Sequence, residues 1–358
     1  MARALLSQAP RVRLEGVGGR LMAAAGVELV EDSSTWGVMG WVDAARQIRS
    51  FLRRLNALRA RLLRDPPQVL VPIDFSGFNL ALLKRLGGRI PAVYYVPPMV
   101  SVRRGRRAER VAALGARLLP VFPFEADEYR RAGADVVFVG HPAAELSEPG
   151  ESAGHVRARL GIDRSAPVLG LLPGSRQMEL DFLLALMLKV AGRVRQAVPD
   201  LITLLAVASP IFLERIERAA GASGLRVVLA DGAYAVMRAS TVLLIASGTA
   251  TVEAMVVGTP MVVTYRASWL NWWIAHLAVT TRRVAIPNIM ACRDVVPELL
   301  QSQATSAGLA AAVLSLLRDP PARETMRAHL LTLAAQLGPP ARPGARRRRF
   351  SHRSAAPA

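Results

Sequence analysis

The sequence has one cysteine, Cys292, so no intramolecular disulfide can form and the disulfide-stapled secreted class is excluded. A reducing cytosol suits such a chain. Aromatic residues make up only 5%. There is no basic–aromatic repeat of the kind that stacks on single-stranded nucleic acid, and no nucleic-acid partner is expected. Histidine is also scarce: His141, His155, His276, His329 and His352 show no metal-ligand spacing, so no metal is expected. Acid is short against base, 27 Asp and Glu against 46 Lys and Arg, for a net charge of +19. A surface so charged attracts polyanions: nucleic acid, anionic lipid or phosphorylated substrates. Unbroken apolar runs are missing too. The longest candidate, Val242 to Tyr265, contains Gly248, Glu253, Gly258 and Pro260. It reads as strand, loop, helix, turn and strand rather than as a membrane span. Met1 to Pro10 is too short in apolar residues for a signal peptide.

What is present is core-forming material. Hydrophobic residues reach 52% and charged residues 20% of 358 positions, enough for two domains of about 150 residues each. Short apolar runs alternate with amphipathic stretches. Strands are expected at Val69 to Ile73, Val93 to Val96, Leu118 to Val121 and Val136 to Val139, with helices at about Phe78 to Leu86 and Glu125 to Ala132. Glu, Ser, Gly and Ala dominate from Pro142 to Ser165, where a linker is expected. The rhythm then resumes. Strands are expected at Val168 to Leu172, Leu201 to Val207, Val227 to Leu229, Thr241 to Ile245 and Met261 to Thr264. Closing helices are expected near Asp294 to Leu300, Ala307 to Leu317 and Arg323 to Leu337. The class is α/β, with two doubly wound, Rossmann-like parallel sheets. The expected domains are 1–145, incomplete at its start, and 146–320, with a closing helix at 321–338. The basic tail 339–358, Pro-, Arg- and Ala-rich without apolar period, is expected to be disordered.

Three places offer chemistry. Leu171-Leu172-Pro173-Gly174-Ser175-Arg176, with Glu179 beyond it, ends a strand and opens a helix. Helix N-terminal amides and an arginine fork suit a diphosphate; the bland alternative is an ordinary turn with a solvated arginine. In Ala246-Ser247-Gly248-Thr249-Ala250-Thr251-Val252-Glu253, a glycine lets a ligand approach the backbone, and Glu253 can accept both hydroxyls of a ribose. A capping box would also explain that glutamate. Asp74 closes a strand and is placed as a general base or as a helix cap. Asn288 is a ligand-facing amide or a turn residue, and His141 is a catalytic group or a hinge in the cleft. Two features suit a membrane surface: the helix face of Trp269, Trp272 and Trp273, and the run Arg103, Arg104, Arg106, Arg107 and Arg110. Trp36, Met39 and Trp41 add apolar surface. Core packing and a solvated helix are the bland alternatives.

Taken in order, these motifs resemble the lipid-A-disaccharide synthase family, inverting glycosyltransferases of the GT-B type. The resemblance rests on Gly16 to Gly19 with Trp36 to Gly40, Ile73 to Asn79, Tyr95 to Pro98, Phe122 to Glu125 and Phe138 to Pro142. It continues through Leu171 to Arg176 with Glu179, Ala246 to Glu253, Pro260 to Arg266 and Pro287 to Ala291. It implies two facing Rossmann-like domains, with C-terminal helices crossing back to the first. It implies transfer of a diacylglucosamine from its UDP conjugate to the 6-hydroxyl of diacylglucosamine 1-phosphate, without cofactor or metal, in lipid A biosynthesis. Asp74 would be the base. Gly174, Ser175, Arg176, Glu179, Ser247, Gly248, Thr249, Glu253 and Asn288 would line the UDP-sugar site. The implied location is the cytoplasmic surface of the inner membrane, held peripherally, and a second copy of the chain is a candidate partner.

The sequence departs from the family in four places. The usual opening strand and Gly-Glu-x-Ser-Gly-Asp loop are absent, so a central strand is expected to be missing from the first sheet, with lower stability and activity. A Trp-x-Trp-Arg reads Ser101-Val102-Arg103-Arg104, a second Asp is Gly77, and an Ala-Gly-Arg reads Ala291-Cys292-Arg293. These changes touch acceptor binding more than donor binding. Rival readings are the transferase adding N-acetylglucosamine to peptidoglycan lipid, a UDP-sugar 2-epimerase, and a truncated non-catalytic remnant.

Overall fold

The computed structural model of the chain describes residues 1–33, 44–102, 106–147, 151–267 and 283–338. Trp36, Met39, Trp41, Arg103, Arg104, Trp269, Trp272, Trp273 and the basic tail lie outside the described residues. The chain forms two compact units.

The first unit holds residues 1–33, 44–70 and 75–91 among those described. Helix α1 (Ala2–Gln8) leads to strand β1 (Glu15–Gly18), helix α2 (Arg20–Ala23) and strand β2 (Glu28–Asp32). β1 and β2 pair in parallel, a pairing the sequence pattern does not announce because β1 is short and half glycine. Long helix α3 (Ala44–Arg64) packs on α4 (Ser76–Leu86). Leu55, Phe78, Leu82, Leu86 and Ile90 form their shared core. The spacing of Phe78, Leu82 and Leu86 is the i, i+4 stripe of a half-buried helix. Phe51 meets Phe78 edge-on at 5.4 Å.

The second unit takes 71–74 and everything described from Ala92 onward. Strands β3 (Val93–Tyr95) and β4 (Arg117–Leu119) pair in parallel, with helices α5 (Arg107–Ala112) and α6 (Pro123–Arg131) between and after them. Ile73 bridges Tyr95 and Leu118 bridges Val136, both in parallel. The expected strands at Val69 to Ile73 and Val136 to Val139 are therefore present only as single bridges flanking β3 and β4. The region expected as a linker is built into this unit. It forms a 3-10 helix (Pro142–Ser147) and helix α7 (Ala153–Arg159), whose Val156 is buried in the main core with Ile162. Arg157 fixes α7 by donating to the carbonyls of Ala239, Arg164 and Ala166.

The main sheet follows: β5 (Val168–Leu172), α8 (Gln177–Ala197), β6 (Ile202–Val207), α9 (Leu213–Ala222), β7 (Val227–Asp231), α10 (Ala233–Ala239), β8 (Val242–Ala246), α11 (Ala250–Val257), β9 (Met261–Tyr265), α12 (Ile286–Ala291) and β10 (Glu298–Leu300). All pairings are parallel and the order is β10-β9-β8-β5-β6-β7. Every residue of β5 and β8 is buried, as expected of strands covered on both faces. Val242 to Tyr265 divides into β8, loop, α11, turn and β9. Among the described residues no helix is long and apolar enough to cross a membrane. Helices α13 (Ser306–Arg318) and α14 (Pro320–Ala334) follow, and a 3-10 turn (Ala335–Leu337) comes after α14. The helix expected near Asp294 to Leu300 is instead strand β10, three residues long, whose backbone completes the edge of β9. Three residues are too few to show any period.

Candidate functional site

The strand order locates the site. From β5 the chain moves outward through β6 and β7, then returns to β8 on the other side of β5 and moves outward through β9 and β10. β5 and β8 are therefore neighbours whose following loops diverge. Such a reversal leaves a crevice at the carboxyl ends of the two strands, where ligands bind in open parallel sheets. The two loops singled out from sequence follow these two strands.

After β5, Gly174 adopts φ +111°. A Cβ there would stand 2.1 Å from a Glu179 carboxylate oxygen, so the position requires glycine. Glu179 accepts from the amides of Ser175 (2.8 Å) and Arg176 (3.2 Å), forming the cap of α8. Both amides, and Glu179 itself, are thus engaged within the chain. The Arg176 guanidinium is 82% exposed and stands 3.9 Å from the Glu179 carboxylate. Tyr265, at the end of β9, lies close enough to feel Glu179 and Arg176. Burial chiefly, and Glu179 next, push its phenol up.

After β8 the arrangement is the reverse. Ser247 donates its hydroxyl to the Val284 carbonyl (3.0 Å), and no side chain caps α11. Among the described residues no group accepts from the amides of Gly248 and Thr249. Both residues are exposed, and nothing stands within 4 Å of where a Gly248 side chain would begin. Glu253 is half-buried in the first turn. Burial raises its pKa, and no described residue bonds or pairs with it. The capping-box alternative for Glu253 does not hold among the described residues: Thr249, at the N-cap of α11, makes no side-chain cap bond and no described group donates to the Glu253 carboxylate.

Asn288, also expected to face the ligand, is 1% exposed and engaged within the chain. Its amide group donates to the Val296 carbonyl and the Glu298 carboxylate, and its oxygen accepts from the amides of Val295 and Val296. It shapes the turn beyond α12.

Asp74 follows the Ile73 bridge and is exposed. Its amide donates to the Tyr95 carbonyl (3.0 Å), and buried Tyr94 donates its hydroxyl to the Asp74 carbonyl (2.8 Å). Asp74 and Phe75 are consecutive non-glycine residues with positive φ, 45° and 39°. Each costs about 1–3 kcal/mol, strain of the kind that clusters at working sites. The N-cap position of α4 is taken by Phe75, whose side chain makes no cap bond.

His141 lies where the chain end returns. Its amide donates to the Leu337 carbonyl (2.9 Å), its Nδ1 accepts from the Ala143 amide (3.0 Å), and its ring lies 5.0 Å from that of Phe122. Burial lowers its pKa to about 4. A neutral, weakly basic imidazole suits a joint better than a catalytic base. Of the basic run, Arg106 and Arg110 are exposed and Arg107 is half-buried.

Two carboxylate arrangements escape sequence reasoning. Glu125 on α6, 3% exposed, accepts from the amides of Val100 and Ser101 and from the Ser101 hydroxyl. It ties down the loop before Arg103. Glu298 on β10 does similar work for residues 284–288. Nothing local in the sequence separates either from a solvated surface glutamate.

Comparison with known proteins agrees with this geometry. Among solved structures, the UDP-GlcNAc 2-epimerase from Neisseria meningitidis bound to UDP-GlcNAc matches at a TM-score of 0.61. It is 11% identical, with 93% of each chain covered. The glycotransferase of kitacinnamycin matches at 0.57 and 17% identity, covering 94% of this chain and 91% of that one. These place the chain in the GT-B fold class. The family model for Lipid-A-disaccharide synthetase (LpxB) matches residues 1–338. The lipid-A-disaccharide synthase of Alkalilimnicola ehrlichii is 38% identical over 94% of this chain and 90% of its own. That of Geobacter metallireducens is 36% identical over 92% and 86%. With a family match along nearly its whole described length and relatives this close, the chain belongs to the lipid-A-disaccharide synthase family.

Proposed function

We propose that the chain transfers a diacylglucosamine from its UDP conjugate to the 6-hydroxyl of diacylglucosamine 1-phosphate, releasing UDP. The observation that carries the donor assignment is the set of groups at the β5–β8 reversal that are open to solvent or without a described partner. The amides of Gly248 and Thr249, with no acceptor among the described residues, and the exposed Arg176 suit a diphosphate. Glu253, with no partner among the described residues, suits the hydroxyls of a ribose. In this reading Asp74 takes the proton of the acceptor hydroxyl as that oxygen bonds to the anomeric carbon. The bond from that carbon to the diphosphate breaks, and the anomeric configuration inverts. The negative charge arriving on UDP falls on Arg176 and the two amides, so the step as proposed calls on no metal. The membrane surface enters because both substrates carry acyl chains; peripheral binding to the inner membrane belongs to the same proposal.

The test separates chemistry from binding. Asp74→Asn keeps the size of the side chain and removes its basicity, and should lower turnover by about 10²–10⁴-fold. UDP affinity, measured by calorimetry, should stay within about twofold. Arg176→Ala should weaken UDP about tenfold or more, the usual loss for a charge-assisted bond. Normal turnover in Asp74→Asn would remove the aspartate from the mechanism. Unchanged UDP affinity in Arg176→Ala would remove the β5 loop from the donor site.

A further inference from the structure

Residues 283–285 lead into α12 without a strand to pair with. Their amides need acceptors, and β10 supplies them from a side chain. Glu298 takes the amide of Val284 on one oxygen (2.9 Å), and the amide of Ala285 (3.1 Å) and the Asn288 side chain (2.6 Å) on the other. Asn288 then holds Val295 and Val296 through its own oxygen (2.7 and 2.9 Å), closing the loop back on β10. The carbonyl of Val284 faces the other way and receives the Ser247 hydroxyl (3.0 Å). One carboxylate thus fixes a strip of backbone whose opposite side holds the first residue of the Ser247–Thr249 loop.

We propose that Glu298 is a positioning residue of the donor site, setting through Val284 and Ser247 where the Gly248 and Thr249 amides and the Glu253 carboxylate stand. The proposal rests on reading that loop as the UDP site. The carboxylate has no part in keeping β10 in the sheet. The backbone ladder to β9 does that, with the Thr264 hydroxyl donating to the Leu299 carbonyl (2.9 Å). Removing the charge therefore leaves the strand paired and loosens only the strip. A site that works by geometry loses affinity when its donors shift by about an ångström.

Glu298→Gln keeps the shape but turns one acceptor into a donor facing other donors. UDP affinity, by calorimetry, and KM for the UDP-sugar should each weaken about tenfold or more. KM for the acceptor should stay within about twofold, and the thermal midpoint within a few degrees. Glu298→Asp, which keeps the charge with a shorter reach, should fall between wild type and Glu298→Gln in UDP affinity. A Glu298→Gln protein that binds UDP and donor as wild type does overturns the proposal. So does activity lost only in proportion to folded protein with both KM values unchanged, which would make Glu298 a folding group alone. Wild type and Arg176→Ala serve as controls. If wild type binds UDP and Arg176→Ala does not, a negative result on Glu298 counts against the positioning role only. If wild type itself fails to bind UDP, the donor-site reading and this proposal both fall.

Discussion

Glu253 carries opposite demands at one position. Its carboxylate is half-buried and raised by that burial, with no described partner to offset the cost. A raised acid favours the protonated form in the folded state, so the charged form at neutral pH lowers stability. Glu253→Gln removes that penalty. The variant should melt no lower than wild type at pH 7.5, yet bind UDP about tenfold more weakly. It should also lose any preference for UDP over 2′-deoxy-UDP, since the hydroxyl pair has no carboxylate to donate to. Scanning calorimetry and UDP titration check this. A lower melting temperature with unchanged UDP binding would make Glu253 structural. At this scale the sequence shows which residue types are present but not which are already bonded. Glu179, Asn288 and Glu253 are equal candidates for the ligand when read from sequence. The first two bond to their own chain, and only the third is left over, a distinction that depends on contacts within the cap of α8 and across the turn after α12.

Whole elements are more legible. The buried strands β5, β6, β8 and β9 fall within a residue or two of their expected places, because continuous apolar runs are strong signals. Elements held by tertiary contacts are less so. β10 looks like helix, Val69 to Ile73 pairs at single bridges only, and the polar segment before β5 folds as α7 because Arg157 finds carbonyl acceptors there. The chain end shows how such contacts respond to pH. The 3-10 turn after α14, Ala335–Leu337, is joined to His141, and a Cβ on Gly140 would stand 2.8 Å from the Leu337 oxygen. His141 falls from 6.5 to about 4 on folding. The unfolded chain then binds the extra proton between those values. The stability contribution is complete above pH 6.5 and is lost as pH falls toward 4. His141→Asn keeps an acceptor for the Ala143 amide and cannot titrate in this range. Urea unfolding at pH 7.5 and 4.5 should show a larger loss for wild type than for the variant. Parallel losses would show that His141 does not carry the effect.

For the molecule as a whole, excess positive charge governs how the surface meets other molecules. A net charge of +19 exceeds what any one site needs. Exposed charges are screened beyond about 10 Å at 0.1 M ionic strength. Sedimentation with vesicles containing phosphatidylglycerol should therefore be strong at low salt and fall steeply by about 0.5 M. Vesicles of phosphatidylcholine alone should retain little protein at any salt. Equal binding to both would place the affinity in apolar contacts instead. The family is legible from the order of many weak motifs, none of which identifies it alone. How the motifs bond to one another is not.

The position of β10 in the chain sets an order of assembly during synthesis. A nascent chain emerges from the ribosome amino end first, and domains generally fold as they become complete. By the time β9 has emerged, β5, β6, β7 and β8 are available to pair, and the apolar interior can close. Yet Glu298 and the amides of Val295 and Val296 arrive about thirty residues later, near the end of the described chain. During that interval a sheet can exist with no acceptor for Val284 and Ala285 and no completed turn around Asn288. The scaffold can therefore form first, and a chain interrupted between β9 and β10 would carry most of the sheet but none of the bonds that Glu298 makes to Val284, Ala285 and Asn288.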